Sequence, residues 1–75
     1  MKPILYGNKE SKSTEKVLGM LDDSKISYEY REIISIDSVE GELLVALTNS
    51  SELPQMFIGG DSFVGYDAIS RYLRN

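Results

Sequence analysis

The chain has 75 residues, 41% of them hydrophobic and 27% charged, with a net charge of -4, no cysteine and no histidine. That length holds one small domain, which buries only roughly 60% of the surface its unfolded form exposes, so nearly every large apolar residue is needed inside. Without thiolate or imidazole the chain has no thiol redox chemistry, Ser-His catalysis, disulfide staple or zinc, iron-sulfur or haem site, and its acidity argues against nucleic acid or an anionic membrane as partner.

The charge is uneven. Residues 1–25 carry five lysines against four carboxylates, and residues 26–75 carry three arginines against eight. Lys9, Lys12 and Lys16 are therefore the only basic cluster, and Lys12 and Lys16 share one face of a predicted helix. No apolar run reaches the length of a membrane span, and Met1-Lys2-Pro3-Ile4 does not open a signal peptide, so a cytoplasmic protein is expected.

Pro3-Ile4-Leu5-Tyr6 is a short apolar run closed by the turn pair Gly7-Asn8, which predicts a first buried strand. Ser11, Ser13 and Thr14 are capping types, and Val17, Leu18, Met20 and Leu21 follow at helical spacing, predicting a helix over 12–24. Gly19 inside it costs up to about 1 kcal/mol against alanine, which suggests close packing against a sheet. Ile26 to Ile33 alternate apolar and polar residues and predict a second strand. Asp37 or Ser38 can cap a second helix with Leu43, Leu44 and Leu47 as its apolar stripe, although Gly41 blurs its start. Pro54–Ile58 reads as a third strand, Gly59-Gly60 as a hairpin turn, and Ser62–Val64 as the returning fourth. Asp67 would cap a last helix carrying Ile69, Tyr72 and Leu73 three and four residues apart, with Arg71 and Arg74 near its C-terminal end. The order β-α-β-α-β-β-α implies an α/β fold in which a four-stranded mixed sheet has helices on both faces, with a parallel right-handed crossover first and an antiparallel edge last.

Three passages in that order carry a resemblance: Ile4-Leu5-Tyr6 before a short loop, Leu53-Pro54-Gln55-Met56-Phe57-Ile58-Gly59-Gly60, and Phe63-Val64-Gly65-Tyr66-Asp67. Over essentially its whole length the chain resembles a glutaredoxin, which implies a single thioredoxin-like domain over residues 1–75. In that family the loop after the first strand carries Cys-Pro-Tyr-Cys, and counting from Tyr6 those positions fall on Ser11, Lys12, Ser13 and Thr14. Hydroxyls in place of both thiols abolish disulfide exchange, because an alcohol cannot supply an anion comparable to an activated thiolate. A serine nucleophile at Ser11 would need an adjacent base, and only lysines or carboxylates in a polar loop are at hand. Laboratory replacement of the thiols would leave the residues between them, whereas Pro and Tyr differ as well; natural loss is favoured, and a cysteine-replaced form of a glutathione-dependent disulfide oxidoreductase is the remaining alternative. Such a compact member would suit a phage or a small bacterial genome.

The resemblance further implies that Pro54 is cis and that the backbone of Leu53 pairs with an extended peptide or with glutathione. It implies a pocket for the γ-glutamyl end at Gly65, Tyr66 and Asp67, although Val64 replaces a usual glycine and Asn8 a usual lysine, for which Lys9 or Lys12 would have to compensate. The expected function is that of a redox-inactive module that binds a protein or peptide through Lys9, Ser11, Lys12, Ser13, Leu53, Pro54, Gly65 and Tyr66. A non-catalytic receptor for glutathione or a small thiol is the alternative, with no metal, nucleic-acid or membrane partner in either case.

Overall fold

The structure is a computed structural model and describes residues 1–74. Seven elements follow in chain order: β1 (Ile4–Gly7), α1 (Lys12–Asp23), β2 (Glu29–Glu32), α2 (Val39–Thr48), β3 (Gln55–Ile58), β4 (Asp61–Val64) and α3 (Gly65–Arg74). The sheet runs β2-β1-β3-β4, with β1 parallel to β2 and the other two pairings antiparallel. This is the expected thioredoxin-like arrangement, a four-stranded mixed sheet with three helices.

Period-two alternation sorts the strand residues between two layers. On one side Leu5 and Met56 lie opposite each other and pack with Val17 and Leu21 of α1 and Ile69 of α3, forming a fully buried core. On the other side Tyr6 faces Gln55, and Ile4 faces Phe57. There the rings of Tyr6 and Phe57 meet edge to face at 5.6 Å, and α2 joins that layer through the hydrogen bond from Thr48 Oγ1 to Gln55 Oε1 at 3.0 Å.

Several expectations are corrected by this arrangement. β2 is only four residues long, because β1 offers four residues, Ile4–Gly7, to pair with it. In α2 only Leu44 of the three predicted leucines is buried, while Leu43 and Leu47 are exposed. Gly41, by contrast, does mark a close approach: it is buried, and a Cβ there would collide with the carbonyl of Ile36. Ser38 is the cap of this helix, its Oγ accepting from Gly41 N–H at 3.1 Å. Asp67 lies inside the first turn of α3 and so does not cap it; there it can only complement the helix dipole.

Gly19 departs furthest from expectation. It is exposed, and a Cβ built on it meets no atom within 4 Å, so no packing explains it. Gly19→Ala should therefore raise stability by up to about 1 kcal/mol, since alanine loses less backbone freedom on folding. Chemical denaturation checks this, and a loss of stability would show that α1 carries a contact on that side.

Candidate functional site

The strand register brings four loops to one end of the sheet. β1 and β2 finish there at Gly7 and Glu32, β3 begins there after Leu53-Pro54, and β4 runs there into Gly65. Ser11, Leu53, Pro54, Gly65, Tyr66 and Asp67 therefore converge from segments far apart in sequence.

The β1–α1 loop is held by Asn8. Its Nδ2 donates to Ile33 C=O at 3.0 Å, its Oδ1 accepts from Glu10 N–H at 2.8 Å, and its own N–H donates to Thr14 Oγ1 at 3.2 Å. Ser11 is the N-cap of α1, its Oγ accepting from Thr14 N–H at 3.3 Å. The Ser11 hydroxyl proton has no acceptor among the described residues and is left free at the positive end of the helix. Thr14 is fully buried, its hydroxyl serving Asn8, and its methyl lies so close to Gly7 that a Cβ there would approach within 2.5 Å. Ser13 is half-buried in the first turn.

The lysines do not act as one cluster. Lys9 places its Nζ 5.5 Å from the centre of the Tyr30 ring, while Lys16 lies 5.6 Å from that of Tyr66. Each is drawn to a different edge of the site, and Lys12 is exposed at the start of α1. Lys9 N–H also donates to both carboxylate oxygens of Glu32, at 3.2 and 3.3 Å. That carboxylate further accepts from the hydroxyl of Tyr30, whose proton is held above the ordinary phenol range by partial burial first, then by this hydrogen bond and the negative charge.

The Leu53–Pro54 bond is cis. Neither the N–H nor the C=O of Leu53 takes part in a hydrogen bond among the described residues, so this backbone faces the sheet end with a donor and an acceptor unused. Pro54 C=O instead accepts from Gly65 N–H at 2.8 Å, which fastens the start of α3 to the start of β3. Gly65 has φ +87, a conformation that favours glycine, and a Cβ on it would strike the carboxylate of Glu52. Glu52 thus lays its side chain against the N-terminus of α3.

Glu32, Glu52 and Gln55 contribute to the site without having been singled out in the sequence. The signal that could have found Gln55 is its position after Leu-Pro inside an otherwise apolar strand, since a buried amide needs partners. Among the described residues no group of three or more acidic side chains is placed to hold a metal ion, and no helix is long and apolar enough to cross a membrane.

No family model and no curated protein matches the sequence. Solved structures do. A glutathione S-transferase from the Antarctic clam Laternula elliptica matches at 27% identity with a TM-score of 0.84, over 99% of this chain and 34% of the other. A glutathione transferase homologue from Drosophila mojavensis, with bound glutathione, matches at 25% identity and a TM-score of 0.83, over 96% of this chain and 33% of the other. A glutaredoxin from Archaeoglobus fulgidus shares the fold at 16% identity and a TM-score of 0.77, over 99% of this chain and 87% of the other. The chain thus spans about a third of the length of the transferases and most of the glutaredoxin. Fold and matches together define a thioredoxin-fold protein of the superfamily that includes glutaredoxins and glutathione S-transferases.

Tyr30 gives the site a pH signature. Because its folded pKa is raised, its contribution to stability is fully present below the ordinary value of 10.0 and is lost as the pH climbs above it, where the unfolded chain ionises first. Tyr28, raised in the same direction by partial burial and by Asp22, adds to the effect. Tyr30→Phe should therefore flatten the alkaline fall in stability, as followed by unfolding at a series of alkaline pH values; an unchanged fall would remove Tyr30 as its source.

Proposed function

We propose that this chain is a glutathione-binding domain with no thiol–disulfide chemistry of its own. The observation that carries the reading is the unpaired main chain of Leu53, standing beside Gly65 and the free first-turn amides of α3. A γ-glutamyl-cysteinyl-glycine backbone can add to Leu53 as a short strand would, giving one N–H and taking another. Its γ-glutamyl carboxylate would meet the N–H groups of Tyr66 and Asp67, at the positive end of a helix, since that of Gly65 is already given to Pro54 C=O. A ligand thiol lying near the start of α1 would find the Ser11 hydroxyl as a donor and the helix dipole as a second stabiliser of its anion. Because the sulfur belongs to the ligand, the absence of cysteine from this chain does not exclude it from glutathione chemistry. The transferase structure with bound glutathione supports this reading by likeness of fold.

A second reading places an extended peptide or protein surface on the same face, in contact with Lys9, Ser11, Lys12, Ser13, Leu53, Pro54, Gly65 and Tyr66. One observation favours it: the Glu52 carboxylate already covers Gly65, where a small anionic ligand would have to displace it. Titrating labelled protein with glutathione and with its S-methyl derivative distinguishes the two. The glutathione reading expects both ligands to shift the amides of Leu53, Gly65, Tyr66 and Asp67 at millimolar concentration, with Glu52→Ala binding more tightly than the parent. A flat response to both ligands would remove it and leave the peptide reading.

A further inference from the structure

The helix α2 is apolar on nearly every side, yet only one side is covered. Gly41 and Leu44 are buried, Gly41 against the backbone of Ile36, and Thr48 reaches the sheet at Gln55, while Val39, Leu43 and Leu47, spaced four apart, form an outer stripe that is 83%, 52% and 63% exposed. Ile34, before the helix, is 87% exposed. Beside the stripe Ile36, Val45 and Ala46 line an open groove of about 480 Å³ that also touches Asp37 and Glu42. A helix that is hydrophobic all round is ordinarily buried all round, so the outer stripe has the character of a covered surface.

Charge decides what covers it. At helical spacing Glu40 and Glu42 fall on either side of the Val39–Leu43–Leu47 stripe, and the last turn of α2 carries no basic residue. From Glu32 to Ser70 the chain has seven carboxylates and no lysine or arginine. The nearest cation, Arg31, is paired with Glu29 at 2.6 Å, and Glu40 adds to the negative field around it. A second copy of the same helix would bring more carboxylates and no cation to the contact, and an anionic membrane would be repelled.

We infer that the outer face of α2 is the docking site for an amphipathic helix of a partner protein, one whose apolar stripe is flanked by lysine or arginine. The partner's apolar side chains cover Val39, Leu43 and Leu47 over the roughly 15 Å length of α2, and its cations meet Glu40, Glu42 and Asp37. This face belongs to α2 and is distinct from the end of the sheet where the glutathione reading places its ligand, so either can fail without the other.

The probe is a synthetic amphipathic helical peptide with leucines at i, i+4 and i+8 and lysines on both flanks, compared with the same peptide carrying glutamates instead. The lysine peptide should bind saturably and shift resonances of Ile34, Val39, Leu43, Ala46 and Leu47, with affinity falling about tenfold or more from low to high salt. Glu40→Lys combined with Glu42→Lys should cost about tenfold in affinity or more while the far-ultraviolet spectrum stays unchanged, since both side chains are exposed. Equal binding of the glutamate peptide, shifts confined to other faces, or no binding would overturn the inference. So would a dimer in sedimentation that Leu43→Ser and Leu47→Ser abolish, which would give the face to a second copy.

Discussion

The side chain of Gln55 is the constraint on which the site depends. It is fully buried at the start of β3, and all its hydrogen-bonding groups are engaged. Its Nε2 donates to Ser50 C=O at 2.9 Å and to Glu52 C=O at 3.0 Å, and its Oε1 accepts from Thr48 Oγ1 at 3.0 Å. One amide thereby ties the last turn of α2, the following loop and the sheet together. Leaving such groups unpaired inside a protein costs about 1–3 kcal/mol each, so the loop that carries Glu52 and Leu53 is held to a single path. With that path fixed, Pro54 C=O is positioned to receive Gly65 N–H, and α3 starts where the loop ends.

The Leu53 backbone is unused because the residues around it are fully occupied with one another. Gln55 binds the carbonyls on one side, Gly65 takes that of Pro54 on the other, and Leu53 between them keeps a free donor and acceptor at the end of the sheet. On the opposite flank Asn8 performs a comparable role, joining Ile33, Glu10 and Thr14 of α1 through three hydrogen bonds. The result is a hydrogen-bonded frame around a short unpaired stretch of backbone at the half-buried Leu53, the kind of feature that an extended ligand can pair with. Charge at this end is mixed: Glu32, Glu52 and Asp67 stand among Lys9, Lys12 and Lys16, and two of the three lysines lie over tyrosine rings. Main-chain geometry and helix ends, more than a basic patch, are what this end of the sheet offers.

Much of the architecture was legible because its signals are local. Ser38 before α2, Gly59-Gly60 between β3 and β4, and the apolar run at Ile4–Tyr6 each specify an element through neighbouring residues alone. The convergence of Ser11, Leu53, Pro54 and Gly65 at one end of the sheet was legible in the loops, and what holds those loops was not. Gln55, Glu52 and Glu32 act through partners across the fold, and nothing in a linear sequence marks a glutamate that will rest on a glycine thirteen positions later. The leucines of α2 are illegible for a related reason: a helix with apolar residues on most sides has no dominant face to read, so only packing tells Leu44 from Leu43 and Leu47. Gly19 misled because a glycine in a helix has the same letter whether it is crowded or, as here, open to solvent.

The Leu53 main chain is unpaired in the protein by itself, and on the proposed reading it is the group that a glutathione-like ligand engages. Amide hydrogen exchange at Leu53, with and without saturating S-methylglutathione, tests it most directly. Exchange should be fast in the free protein and slow by about tenfold or more on binding, as a newly formed hydrogen bond confers. Exchange at Leu53 that is already slow without ligand, or that stays unchanged while binding is registered elsewhere, would contradict it.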